Sequence, residues 1–189
     1  MAFAGLVLTV SSLAHAGLIT SDIDSELDSS TLIDFSAYTT GSANQITFAG
    51  GEFNTTGNFG FSVWNNYGSS GGAFYNIGPS TTFTLTFDNV VSAFGMNIGA
   101  IHSSWAWDVY DINNVLIDTV SVAIDNNAGA FYGYAASNIK SVVLTPVNDQ
   151  AAFDNLQFVS GSTSVPEPST LAIFALGLMG FAARRFKKS

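Results

Sequence analysis

Apolar and polar residues alternate with period two along most of this chain. In "TFTLTFDN" Phe83, Leu85 and Phe87 fall on one side, with Thr82, Thr84 and Thr86 on the other. Phe94, Met96 and Ile98 repeat the pattern, as do Trp105, Trp107 and Val109 in "WAWDVYD". Further segments of this kind are "TLIDFSAY", "QITFAG", "NFGFSVW", "VLIDTVSVAI", "AFYGYAA", "IKSVVLTPV" and "AAFDNLQFV". About ten short strands separated by turn residues predict an antiparallel β-sandwich or barrel. "DINNVLID" reads as a hairpin with Asn113-Asn114 as a two-residue turn, since asparagine tolerates positive φ. Gly68 to Pro79, "GSSGGAFYNIGP", reads as the long loop. No segment before the C-terminal tail carries the pattern of a three-turn helix.

The two ends break the alternation. "MAFAGLVLTVSSLAHA" is an apolar stretch closed by Ala14-His15-Ala16, a small-x-small cleavage pattern, so residues 1–16 read as a secretory signal peptide cleaved after Ala16. It lacks a basic leading region, which leaves open a start upstream of Met1. At the other end, Leu171 to Ala183 is apolar or glycine throughout, and Arg184, Arg185, Lys187 and Lys188 follow. A helix over about 169–185, at ~1.5 Å per residue, comes close to spanning a bilayer, with the arginines snorkelling at its end. The basic cluster predicts a cytoplasmic C-terminus and an acidic domain on the far side of the membrane. Pro166 and Pro168 separate that helix from the last strand. The chain thus divides into 1–16, a body at 17–160, and a tail at 161–189.

Val165-Pro166-Glu167-Pro168-Ser169-Thr170, an apolar helix with internal glycine, and then Arg184-Arg185-Phe186-Lys187-Lys188 resemble the PEP-CTERM sorting signal. The resemblance implies export across the inner membrane of a Gram-negative bacterium, temporary anchoring, and processing by an exosortase. It also implies a cell-surface or exopolysaccharide-matrix destination. The body is similar to the β-sandwich domains often joined to such tails, through "TFTLTFDNVVSAFGMNIG", "WDVYDINNVLIDT", "FYGYAASNIKSVVLTP" and "AAFDNLQF". That likeness implies a jelly-roll-like sandwich whose final strand carries an Asp-Asn pair at a sheet edge. Carbohydrate-binding modules and inert envelope proteins share this fold, so fold alone assigns no function.

Charge narrows the classes. Between Gly17 and Val165 stand 13 acidic residues and one lysine, Lys140, so the body repels phosphate backbones and nucleic acid is excluded as a partner. Cysteine is absent, which removes thiolate catalysis and cysteine-ligated zinc.

Catalytic motifs are weak. Gly68-Ser69-Ser70-Gly71-Gly72 fits G-x-S-x-G in letters, but a nucleophile elbow needs a strand before it and a helix after it. His102 is the one histidine left after signal removal, and the adjacent Ser103-Ser104 does not make a triad. Asp108, Asp111 and Asp118 could supply paired carboxylates, although Asp108 and Asp118 fit a solvated hairpin better. "DIDSELD" spaces Asp22, Asp24, Glu26 and Asp28 like a calcium loop, but Leu27 stands where glycine is required and Ile33 where glutamate is. It reads as a solvated acidic arm. A structural calcium held by Asp154 stays open, because a carboxylate at a loop junction suits a hard cation.

Trp105 and Trp107 point to one side of a strand and fit either the sandwich core or a sugar-stacking platform. Trp64, Tyr67, Tyr75 and Tyr132 are further aromatic candidates. The expectation is therefore a non-enzymatic, exported protein of the surface or matrix. The alternative is a carbohydrate-binding module retained in exopolysaccharide.

Overall fold

The computed structural model describes residues 16–38, 40–64, 71–123 and 129–161. The signal segment up to His15, the P-E-P motif and the apolar tail lie outside them. Among the described residues no helix is long and apolar enough to cross a membrane.

The alternating segments form antiparallel strands: β1 Gly17–Ile19, β2 Thr31–Ile33, β3 Thr40–Phe48, β4 Gly51–Trp64, β5 Gly71–Ile77, β6 Phe83–Gly99, β7 Ser104–Asp111, β8 Leu116–Ala123, β9 Ala130–Pro146 and β10 Ala152–Ser160. A single 3-10 turn, Ser25–Leu27, follows β1. The strands belong to one sheet ordered β2-β10-β5-β4-β6-β9-β7-β8, with β1 on β9 and β3 on β4. β10 also pairs with β6, so β4, β5, β10 and β6 close a ring of hydrogen-bonded neighbours.

Two layers arise because long strands change sheet part-way along. The first half of β6 pairs with β4 and with the second half of β9; its second half pairs with β10 and with the first half of β9. Between the halves, Asp88 and Asn89 are exposed while Phe87 and Val90 are buried. Two polar residues in a row reset the alternation, the register slips between Thr86 and Val91, and the strand turns the corner. Lys140 reaches this corner, and its Nζ donates to the Phe87 and Asp88 carbonyls at 2.7 and 2.9 Å. The segments that read as separate short strands in 83–99 and in 130–146 are therefore single 17-residue strands.

The core is aromatic. Phe53, Phe59, Phe74, Phe83, Phe153 and Trp105 interlock, mostly edge to face, with centroid distances such as 4.8 Å for Phe53–Phe74 and 5.0 Å for Phe83–Phe153. A smaller apolar cluster lies apart from it, where Ile19 and Leu27 cover Ala93, Phe131 and Ala135. The arm is thus docked through Ile19 and Leu27, while Asp22, Glu26 and Asp28 stay exposed to solvent as the sequence reading expected. Asp24 caps the 3-10 turn by accepting from Glu26 N at 3.0 Å, and that turn delivers Leu27 to the cluster.

Three further corrections concern turns and edges. Residues 71–77 form β5 rather than loop, because Phe74 and Asn76 both point into the core and outweigh the weak strand propensity of the leading glycines. The β7–β8 hairpin turns through Ile112–Asn114, and only Asn114 takes positive φ, at 60°. Asp111 accepts from the amides of Asn113 and Val115, both at 2.8 Å, and this fixes the three-residue loop. Finally, Asp154-Asn155 does not sit on an edge. β10 runs inside the sheet, with β6 on one side and first β5, then β2, on the other.

β6 and β9 approach closely at Gly95 and Gly133. A Cβ on Gly133 would fall on the Phe94 carbonyl oxygen and 2.6 Å from Gly95 Cα, both backbone. Gly133→Ala should therefore force the strands apart and cost about 1–3 kcal/mol or more, as overpacking does. A urea midpoint lowered at unchanged slope is the expected result.

Candidate functional site

Three loops meet at one end of the sandwich. β6 ends at Gly99 and passes through Ala100, whose φ of 60° few residues other than glycine adopt, to His102 and β7. β5 ends at Ile77 and leads into Gly78-Pro79, where Gly78 has φ 98°. β9 stops at Pro146, which has no N–H to continue the ladder, and residues 147–151 lead into β10.

Asp149 ties these loops together. Its carboxylate is 5% exposed. Oδ2 accepts from His102 N at 3.1 Å, Ser103 N at 3.2 Å and the Trp105 indole at 3.1 Å, and Oδ1 accepts from Gln150 N at 2.9 Å. Its own amide donates to Pro79 O at 2.6 Å. Four N–H donors on one carboxylate replace the water it loses on burial. Asn76, fully buried, completes the hub: Nδ2 donates to the Gly78 and Asp149 carbonyls at 3.1 and 3.0 Å, and Oδ1 accepts from Ala151 N at 2.9 Å. Gln150 Nε2 donates to Asn76 O at 3.1 Å.

Beside this hub opens a cleft of about 430 Å³, lined by Tyr75, Pro79, His102, Asn148, Asp149 and Gln150 among others. That size lies within the roughly 300–1,000 Å³ typical of small-molecule sites. Tyr75, Ala152 and Gly99 are register partners across β5, β10 and β6, so they share one sheet face, and Gly60 on β4 pairs with Tyr75 on its other side. The Tyr75 ring occupies the space a Cβ on Gly60 would need; that atom would lie 2.7 Å from Tyr75 Cε1. Small residues thus flank one aromatic wall. His102 belongs to the same lining with its side chain 60% exposed, and its Nδ1 is 3.8 Å from Asp149 Oδ1.

The residues singled out in the sequence do not gather here. Trp105 and Trp107 are 1% and 0% exposed, deep in the aromatic core, so neither offers a face to a ligand. Asp154 is buried where the neighbour of β10 changes from β5 to β2; its Oδ1 accepts from Asn155 N at 2.7 Å and Phe35 N at 3.4 Å. Among the described residues no three His, Cys, Asp or Glu side chains come together. Asp108 accepts from Thr119 Oγ1 at 2.7 Å, while Asp118 accepts from the Tyr134 hydroxyl at 2.8 Å. Because Asp108 pairs with Thr119 and Val109 with Asp118, these two carboxylates point to opposite faces. Burial, with the hydrogen bond and charge of Asp118, pushes the Tyr134 phenol up to about 12. Tyr67 and the Gly68-Ser69-Ser70 portion of the G-x-S-x-G match lie outside the described residues, and Gly71-Gly72 open strand β5 where a nucleophile elbow would need a helix.

Asp149 and Asn76 were not legible as site residues. One signal was available for Asn76: it shares the phase of Phe74, which places a polar side chain at a core position.

Residues 164–188 match the PEP-CTERM protein-sorting motif. No curated protein matches the chain. Among solved structures, a family 29 carbohydrate-binding module is similar with TM-score 0.45 and 11% identity, over 73% of this chain and 99% of that one. A family 6 carbohydrate-binding module has TM-score 0.38 and 15% identity, over 69% and 94%. A carbohydrate-binding module from Clostridium stercorarium in complex with cellobiose has TM-score 0.37 and 14% identity, over 69% and 94%. No residue role is carried over from any of them.

Proposed function

We propose that this chain is an exported, non-enzymatic protein of the cell surface or extracellular matrix, sorted by its C-terminal segment. The observation that carries the reading is the sorting motif at 164–188, with Pro166-Glu167-Pro168, the apolar run and the basic end in the expected order. On this reading the tail holds the protein in the inner membrane until an exosortase removes it, and the sandwich is then released to the surface or matrix. The body fits a scaffold rather than a catalyst. Asp108, Asp111 and Asp118 each hold local turns or strand pairs, and the carboxylate nearest His102 is occupied by backbone and indole donors.

The test is direct. Changing Pro166, Glu167 and Pro168 together to alanine should leave the protein in the inner membrane with its tail intact. Mass spectrometry of secreted parent protein should find a C-terminus upstream of Arg184. Secreted protein that still carries Lys187 and Lys188 would overturn processing.

The matrix alternative, a carbohydrate-binding module, needs a ligand surface. Trp105 and Trp107 do not supply it, and among the described residues the cleft beside Asp149 is the place proposed for it.

A further inference from the structure

The geometry points to the cleft lined by Tyr75 and His102 as a binding site for a neutral polysaccharide, at the end of β6 away from the residues where the described body begins and ends. The inference rests on the surface or matrix reading of this chain and names the ligand class and the residues.

The tether position follows from strand register. The C-terminal tail leaves after Ser160, which pairs with Val91, and Gly161 N donates to Val90 O at 2.9 Å. The N-terminal strand leaves from the same region: Gly17 pairs with Ala135, and Ala135 with Ala93. The same row continues from Val91 to Ile139 and on to Asp111, at the base of the β7–β8 hairpin. The first and last strands of the described body therefore begin and end near the β6 corner. The cleft lies at the other end of β6, beside Gly99 and Ala100, and eight residues at roughly 3.3 Å each put about 25 Å between the two.

The chemistry of the cleft selects the ligand. Tyr75 is a half-buried aromatic ring beside the small residues Ala152 and Gly60, the arrangement a flat pyranose face can lie against. Asn148 is exposed and carries an amide that both donates and accepts, Gln150 is exposed with its Nε2 donating to Asn76 O and its Oε1 an acceptor, and His102 adds an exposed imidazole, a set that suits vicinal hydroxyls. Anionic chains find no match. Lys140 is the one Lys or Arg among the described residues, and it serves the β6 corner at the far end. The Asp149 carboxylate also lies in the cleft wall. The loops are rigidly backed, since Asp149 and Asn76 pin all three, as a preformed site requires.

The full chain in detergent micelles would be run in native gels containing a neutral glucan, mannan or galactan, or the acidic polygalacturonate. At least one neutral polymer should retard it, and polygalacturonate should not. Tyr75→Ala and His102→Ala should each weaken retardation about tenfold. His102 hydrogen-bonds to the hub through its backbone amide, and its exposed imidazole lies 3.8 Å from Asp149 Oδ1, so His102→Ala should shift the melting temperature little even if Tyr75→Ala lowers it. Ile112→Ser, at the tethered end, should bind like the parent. Equal mobility in all neutral gels, retardation by polygalacturonate alone, or unaltered retardation of both cleft variants would overturn the site. None of these readouts depends on the tail, so they are separate from the sorting test.

Discussion

Trp107→Phe should cost less stability than Trp105→Phe, although both indoles are buried to the same degree. Trp105 packs against Phe83 and Phe153 at 5.9 and 5.4 Å, and its Nε1 donates to Asp149. Trp107 stacks on Phe94 at 5.9 Å with 28° between planes, and its Nε1 has no hydrogen-bond partner. Phenylalanine removes about the same volume at both sites. At Trp105 it also strips a donor from a buried carboxylate, whereas at Trp107 it removes an N–H that is already unsatisfied. The two phenylalanine variants should therefore differ by about 1.5–3 kcal/mol, the cost of breaking one buried hydrogen bond to a charged group. Alanine at either site leaves a large cavity and should cost about 3–5 kcal/mol, a large share of a domain's roughly 5–15 kcal/mol. Urea midpoints of the four variants at constant slope decide it. Equal losses for the two phenylalanine variants would show that the Trp105–Asp149 bond contributes nothing, and unchanged midpoints for the alanine variants would remove both tryptophans from the core.

Burial explains which parts of this fold were readable from the sequence. A strand with one face in the core must alternate, so Phe83, Leu85 and Phe87, and Trp105, Trp107 and Val109, announce themselves by spacing alone. Strand continuity is different. Nothing local says that the chain passes through Asp88-Asn89 without leaving the sheet; that depends on Lys140 and on β9 bending alongside. β5 was hidden because its leading glycines favour turns, and the reasons it is a strand, Phe74 in the core and Asn76 under two loop carbonyls, come from elsewhere in the chain. Asp149 was the least visible. Its donors at Trp105, Ser103 and His102 are 44, 46 and 47 residues away, beyond any window in which periodicity or turn chemistry operates. Tyr75 was visible as an aromatic, but its role as a cleft wall depends on Gly60, Ala152 and Gly99 lying beside it across three other strands.

Removing the Asp149 carboxylate should be the most damaging single change near the cleft. Asp149→Ala leaves the amides of His102, Ser103 and Gln150 and the Trp105 indole without their acceptor. Each such bond to a charged group is worth about 1.5–3 kcal/mol, and because the four share one acceptor they do not add in full. A loss of about 4–6 kcal/mol is expected on that basis. Asp149→Asn separates the two halves of the hub. Three donors converge on Oδ2 and one on Oδ1, so the amide oxygen should settle where Oδ2 was and turn its NH₂ towards Gln150 N, a donor facing a donor. The asparagine variant should therefore lose roughly half as much stability as alanine. Amide hydrogen exchange gives the finer reading: in Asp149→Asn, His102 and Ser103 should keep their protection while Gln150 loses it. In Asp149→Ala all three should exchange faster. If Asp149→Ala melts with the parent, or if its His102 and Ser103 amides stay protected, the carboxylate is not what holds the three loops together.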